Sequence, residues 1–370
     1  MKILLTVEFY EPSKGGAQEV VKQIAERLAA KGHDVTVATS ALPNRTERVL
    51  NGVNISDFHI AGSQVKGYRG DTALYQEFLL KSNFDVIFNY AAQVWTTDIL
   101  FPLLEKLKAK KVIAPLGYSR LHHPRYRQYF ESLPSILSNY DKIVYTSPEY
   151  QDKEFGDRHG LGSKAVIIPN GASKEEFSAS LIDFKKNYGI ATPYLFLCVS
   201  NHYFDKGHLF VLEAFRKLKG RDCTLVIIGE RPSRHSWYSC SPICSLISAT
   251  TSQIRILSSI PRSDVVAAYQ QADLFLFGSK VECAPLVMYE SFATRTAFIT
   301  TDVGNVKDHR SVIRLVSSPE AMLQELRHFI TDPDSYRKLA AHAFQFYEVN
   351  HTWEYLSGRY ESLFTDVCKR

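Results

Sequence analysis

The sequence predicts two α/β domains in tandem, each a doubly wound parallel sheet covered by helices on both faces. Three observations carry this. Short apolar runs alternate with helical patterns along the chain. The runs are apolar at consecutive positions rather than at every second one, as strands buried on both faces are. The alternation then restarts near the middle of the chain.

The first run, Ile3–Val7, reads as a strand. Residues 17–30 read as a helix, with Val20, Val21, Ile24, Ala25, Leu28 and Ala29 on one stripe, and Gly32 ends it. Strands follow at 34–39, 85–89, 111–115, 142–147 and 165–169. The polar stretch 171–193 reads as the linker, with the domain boundary near 172–192. The second series has strands at 194–200, 224–229, 253–257, 274–278, 297–301 and 312–316, with a helix at 209–219. The segment from about 333 to 370 reads as helical and aromatic. These elements divide the chain into a first domain (1–175), a second (176–345) and a C-terminal helix (346–370).

With 45% hydrophobic and 22% charged residues, the chain can build real cores and is not disordered. Its net charge of +5 is too weak to argue for nucleic acid. The apolar run at the start is followed by Glu8, too soon for a signal sequence, and no stretch approaches a membrane span. The expectation is a cytoplasmic protein, at most peripheral at the inner face of a membrane. The six cysteines all lie in the second half, which does not suit a disulfide scaffold. Cys240 and Cys244 are spaced like a metal-binding pair, but no second pair lies nearby and His235 alone would not complete a tetrahedral site. No metal site and no cofactor are expected.

The segment Glu282-Cys-Ala-Pro-Leu-Val-Met-Tyr-Glu290 carries the most chemistry. It links a strand to a helix, and Pro285 fits a first helical turn. The free N–H groups near Leu286 and Val287, with the helix dipole, would attract a phosphate. A carboxylate beside a phosphate site suits sugar hydroxyls. Taken alone, two glutamates are ordinary surface acids.

They are not alone. Their spacing and setting resemble the Glu-x7-Glu motif of the retaining family-4 glycosyltransferases, group 1 type, and other segments match in order over nearly the whole chain. Lys14-Gly15-Gly16 looks like the family's glycine-rich loop. It is no dinucleotide fingerprint. Ile168-Pro-Asn-Gly171 looks like its end-of-domain turn, Asp205-Lys206-Gly207 like its phosphate-neutralising lysine, and Thr301-Asp-Val-Gly304 and Thr352-Trp-Glu354 agree with it again. Two places depart. Ser200-Asn201-His202 stands where relatives carry an Arg, so Asn201, a cationic His202, Arg231 or Arg262 would have to complete the phosphate clamp. Arg295 and Ala297 replace a Gly and a Pro.

The resemblance implies a GT-B fold, two Rossmann-like domains facing each other across a cleft. It implies transfer of a hexose-type sugar from a nucleoside diphosphate, UDP favoured over GDP, with retained configuration. Glu282, Lys206 and Asn201 would be catalytic. Gly15, Gly16, Lys206, Cys283, Ala284, Pro285, Leu286, Val287 and Glu290 would bind the donor, with Glu290 on the ribose. The departing phosphate would take the acceptor proton. The acceptor would be a glycan, a lipid-linked glycan or a small molecule, and envelope polysaccharide synthesis is the usual setting. Gly117, Arg120, His122 and His123 are the acceptor-side candidates. Seven cations and no acids lie within 106–127. They read either as a solvated face or as a patch for a phosphorylated acceptor or anionic membrane. The only Asp-x-Asp pair, Asp332-Pro-Asp334, reads as a helix cap, not a metal site. A nucleotide-sugar epimerase of the same fold and a non-catalytic sugar-nucleotide- or glycan-binding protein are the alternatives.

Overall fold

The structure is a computed structural model, which describes residues 1–369 except 179, 219, 221 and 232–237. It divides into two compact units, one of residues 1–170 and 353–370, the other of 171–352.

The first unit holds β1 (Lys2–Thr6), β2 (Asp34–Ser40), β3 (Val49–Leu50), β4 (Val53–Phe58), β5 (Ile60–Ser63), β6 (Gly67–Gly70), β7 (Val86–Tyr90), β8 (Lys110–Ala114), β9 (Lys142–Tyr145) and β10 (Ala165–Ile167). Its main sheet runs β10-β9-β8-β7-β1-β2-β4-β3, parallel except for β3 against β4. The central strands are buried along nearly their whole length, as their apolar sequences require. The helix Gly16–Ala30 lays its predicted stripe into the core, with Val20, Val21, Ile24, Ala25 and Leu28 buried. The hairpin β5–β6 is not legible as an apolar run, because β6 is Gly-Tyr-Arg-Gly and fully exposed. Close backbone approach explains two glycines of the hairpin: a Cβ on Gly62 would lie 2.0 Å from the Gly67 carbonyl oxygen, and one on Gly70 would lie 1.8 Å from the His59 carbonyl oxygen.

The second unit holds β11 (Tyr194–Val199), β12 (Cys223–Ile228), β13 (Ile254–Leu257), β14 (Leu274–Phe277), β15 (Ala297–Thr300) and β16 (Arg314–Leu315). All are parallel, in the order β13-β12-β11-β14-β15-β16. The order reverses between β11 and β14, the place where open α/β sheets bind ligands. The stretch expected to be a linker belongs to this unit. It forms helices Lys174–Ser178 and Phe184–Asn187, whose Phe177 and Phe184 are buried in the core. Ala172 and Ile190 are buried in the same core, and Ile182 and Tyr188 pack against it.

Asp332 caps the helix Pro333–Asn350 by accepting from Ser335 N–H at 3.2 Å. The last helix, Trp353–Lys369, packs in the first unit. Its Tyr360 and Phe364 lie against Phe88, and Glu354 and Glu361 pair with Arg27 and Lys31. Among the described residues no helix is long and apolar enough to cross a membrane.

Candidate functional site

In the second unit, β11 leads into the turn that carries Asn201 and Lys206, and β14 leads into the turn that carries Glu282. The two strands are neighbours, so the two turns meet. Lys206 Nζ lies 2.6 Å from Glu282 Oε1, which also accepts from Ser279 Oγ at 2.9 Å. The turns are joined by backbone as well. Lys280 N–H donates to Asp205 O at 2.8 Å, and Ser279 Oγ donates to the same oxygen at 3.1 Å. Gly207 makes this approach feasible. Its φ is +66°, and a Cβ there would lie 1.7 Å from the Gly278 carbonyl oxygen.

Gly304 does the same work on the other side of Glu282. At φ +60°, its missing Cβ would lie 2.5 Å from the Cys283 carbonyl oxygen, and the next residue, Asn305, donates its N–H to that oxygen at 2.9 Å. The Thr301–Gly304 segment is thus a backrest for the Glu282 turn.

Cys283 and Ala284 are half-buried in that turn. Pro285 is the N-cap residue, one position outside the helix Leu286–Ala293, rather than within its first turn. Its ψ of 121° is extended. No side chain caps this end. The N–H groups of Leu286 and Val287 therefore have no partner within the helix.

Glu290 lies further along the same helix and is only 7% exposed. Its Oε1 accepts from Arg262 Nη2 at 2.7 Å and its Oε2 from Tyr269 O–H at 2.7 Å. Burial and the Glu290 charge push the Tyr269 phenol well above its usual range, so it remains a donor. Arg262 also holds Glu176, through Nε at 2.7 Å and Nη2 at 3.1 Å. Two carboxylates thus neutralise Arg262, and it is not a spare cation for a phosphate, contrary to the expectation that it could complete the clamp.

The Ser200–His202 segment also corrects its reading. Asn201 Oδ1 accepts from Glu230 N–H at 3.2 Å, which leaves Nδ2 as its remaining donor. His202 is fully buried beside His208 and Cys240, not exposed toward a ligand. Arg231 is exposed, and His235 lies outside the described residues.

In the first unit, Gly15 is the N-cap of the helix Gly16–Ala30, without a side-chain cap, and both Gly15 and Gly16 are exposed. They follow β1, whose neighbour β7 marks the reversal of strand order in this sheet. The loop after β8 holds three consecutive residues at positive φ: Leu116, Gly117 and Tyr118. Asp152 holds this loop by accepting from Gly117 N–H at 2.8 Å, and Gln151 Nε2 donates to Gly117 O. Burial raises the Asp152 carboxyl to about 6 despite these bonds. Asp98 is its counterpart below the loop after β7. It accepts from Gln93 N–H, Gln64 N–H and Tyr129 O–H, and burial again raises it to about 6. Sequence reasoning missed both acids, since neither sits in a motif.

Arg120, His122 and His123 are exposed further along the same loop, and His123 Nδ1 accepts from Arg125 N–H at 3.2 Å. The cationic run does not form one patch. Residues 106–111 run into the start of β8 and 120–127 lie beyond its end, with residues 112–119 between them. Lys111 is also spent on the Leu104 and Leu107 carbonyls.

Residues 14–176 match the family described as Glycosyltransferase Family 4, and residues 180–346 match Glycosyl transferases group 1. The chain is 22% identical to the N-acetyl-alpha-D-glucosaminyl L-malate synthase of Bacillus anthracis, over 100% of this chain and 98% of that one. Its fold is similar to that of sucrose-phosphate synthase from Thermosynechococcus elongatus, with a TM-score of 0.81, 17% identity, and 99% and 98% of the two chains covered. It is also similar to Anabaena HepE in complex with UDP-glucose, with a TM-score of 0.79, 14% identity, and 99% and 100% covered. With both family matches falling on a pair of parallel-sheet units, the chain belongs to the group 1, family-4 glycosyltransferases of the GT-B fold, which use nucleotide sugars.

Proposed function

We propose that this glycosyltransferase moves a hexose-type sugar from UDP to a hydroxyl acceptor with retention of configuration, and with no metal on the diphosphate. The observation that carries the reading is the Lys206–Glu282 pair at 2.6 Å, held where the sheet order reverses and next in sequence to the uncapped helix end at Leu286. A cation and a carboxylate on two turns that meet, with free N–H groups at the helix end that follows, suit a leaving diphosphate and the hydroxyls of its sugar.

In this reading the bond from the anomeric carbon to the β-phosphate oxygen breaks, and the acceptor oxygen bonds to the same face of that carbon. Lys206 and the Leu286 helix end take up the charge left on the diphosphate. Glu282 exchanges Lys206 for a sugar hydroxyl. Glu290 receives the ribose hydroxyls on the lone pairs that Arg262 and Tyr269 leave, since each carboxylate oxygen accepts two hydrogen bonds. The departing phosphate oxygen takes the acceptor proton. Asn201 Nδ2 serves as a neutral donor where relatives carry an Arg. The acceptor-side candidates are Gly117, Arg120, His122 and His123.

HepE is described in complex with UDP-glucose, which favours UDP here. The curated relative's name gives an α-linked N-acetylglucosamine on L-malate, as retention would produce from an α-linked donor. UDP-N-acetylglucosamine and L-malate are therefore the first pair to try. Glycan and lipid-linked acceptors of envelope synthesis are the next class.

The test is a thermal-shift screen against UDP, GDP, ADP and their sugar conjugates, without added divalent cation, followed by donor turnover with and without acceptor. A ligand bound only to the native state raises the melting temperature by mass action. A shift with UDP, and release of UDP only when acceptor is present, is the expected result. Conversion of donor without acceptor would identify an epimerase. Donor that binds and is never consumed would identify a binding protein, the reading favoured by the absent Arg at Asn201.

A further inference from the structure

Behind the Lys206 turn, four side chains from two segments converge. His202 follows β11, His208 opens the helix His208–Arg216, and Cys240 and Cys244 stand one turn apart at the start of the helix Ser241–Ser248. All four side chains are fully buried. Their ligand atoms lie within 4.8 Å of one another. Cys240 Sγ is 3.3 Å from His208 Nδ1 and 3.8 Å from His202 Nδ1. Tetrahedral zinc, with Zn–S near 2.3 Å and Zn–N near 2.0–2.1 Å, sets sulfur and nitrogen about 3.6 Å apart. The cluster has the size and the donor set of a Cys2His2 shell.

Satisfaction of the imidazoles points the same way. Buried polar groups almost always have partners. His202 Nε2 is buried with no partner among the described residues, and its Nδ1 has only a thiol at 3.8 Å. As a core residue this histidine is poorly satisfied. Ligation through Nδ1 would give that nitrogen the partner it lacks, while Nε2 keeps none among the described residues. His208 Nε2 lies 2.7 Å from Ser200 Oγ, the kind of outer hydroxyl that orients a ligating imidazole. The two segments are already registered by backbone: His202 O accepts from Cys240 N–H at 3.2 Å and from Ser239 Oγ at 3.0 Å.

We propose that His202, His208, Cys240 and Cys244 bind one zinc ion in a closed tetrahedral shell that pins both ends of the Lys206 turn. Binding converts two thiols to thiolates and releases two protons, with both imidazoles neutral. Two thiolates cancel the charge of Zn2+, so the buried centre is neutral and its burial costs little. Four protein ligands leave no open position, so the ion takes no part in the transfer. It holds a turn in which Lys206 follows one ligand by four residues and precedes the next by two. The metal stands independently of the transferase reading; its effect on Lys206 rests on that reading.

The experiment is metal analysis of tag-free, reduced protein, with cobalt substitution as a second readout. About one zinc per chain is expected, and Co2+ should give the intense visible bands of a tetrahedral thiolate site. Cys244→Ser should retain less than about a tenth of the metal under the same conditions, while Cys368→Ser, on the exposed last helix, should keep all of it. If Cys244→Ser does not fold, alkylation of the intact protein decides: Cys240 and Cys244 should react only after denaturation with chelator. The proposal falls if the wild-type chain carries no zinc and retains neither zinc nor cobalt after desalting. It falls equally if Cys244→Ser binds as much metal as wild type. A zinc-free chain that still releases UDP would leave the transferase reading intact, and a zinc-loaded chain that ignores every nucleotide would leave the metal intact.

Discussion

Replacing Lys206 with Met removes one charge and keeps the length of the side chain. The cost to folding is small. The Lys206 side chain is 30% exposed and Glu282 15%, and half-exposed ion pairs contribute about 0–1 kcal/mol. Glu282 also keeps its bond from Ser279. The cost to the ligand is larger. A hydrogen bond to a charged group contributes about 1.5–3 kcal/mol, roughly 10- to 150-fold in affinity. The loss should fall on the β-phosphate, because Lys206 is proposed to meet the leaving diphosphate. Isothermal titration with UDP and UMP separates the two effects. Wild type should prefer UDP, and Lys206→Met should lose most of that preference while its affinity for UMP changes little. Turnover should fall further, by about 10²–10³-fold, as when one donor to a developing oxyanion is lost. In Lys206→Met/Glu282→Gln, part of the affinity for UDP should return, because the negative charge at position 282 no longer repels the phosphate. Equal losses for UDP and UMP, or no loss, would refute the placement of the diphosphate at Lys206.

Gly304→Ala should slow turnover by about 10- to 100-fold with donor affinity less affected, since a Cβ 2.5 Å from the Cys283 oxygen must push the Glu282 turn away. Its left-handed φ adds about 1–2 kcal/mol of strain, which melting curves will read. Glu290→Ala should weaken donor binding and Glu282→Ala should mainly slow transfer; initial-rate kinetics that show neither would remove both roles. Asp152 predicts a pH effect of definite sign. Its folded value of about 6 lies above the ordinary 3.8, so between those pH values the folded chain holds a proton that the unfolded chain releases. Wild type should therefore gain up to about 3 kcal/mol relative to Asp152→Asn as pH falls from 7 to below 4, and a difference independent of pH in denaturant melts would contradict it.

The core strands were legible because their apolar runs have no polar face. β5 and β6 were not, because their residues are small or exposed and the pairing depends on glycines that allow backbones to touch. Glu282 and Glu290 were legible through their own motif, and so was Lys206. What Glu290 touches was not, since Arg262 and Tyr269 both lie on another helix, Arg262–Gln271. The cysteine pair was visible, but its companions were not: His202 and Cys240 are 38 residues apart, too far for any local spacing pattern. Asp98 and Asp152 carried no signal, because an acid that holds a loop by backbone hydrogen bonds needs no neighbour of a particular type.

The sequence by itself determined two α/β units, since strands apolar on both faces must be covered by helices on both faces. It also determined which polar and charged residues each turn carries. Which turns meet was decided only by tertiary structure. Lys206 and Glu282 are 76 residues apart and come within 2.6 Å because β11 pairs with β14, at the reversal of strand order. That adjacency depends on how all six strands pack, and no local stretch of sequence encodes it.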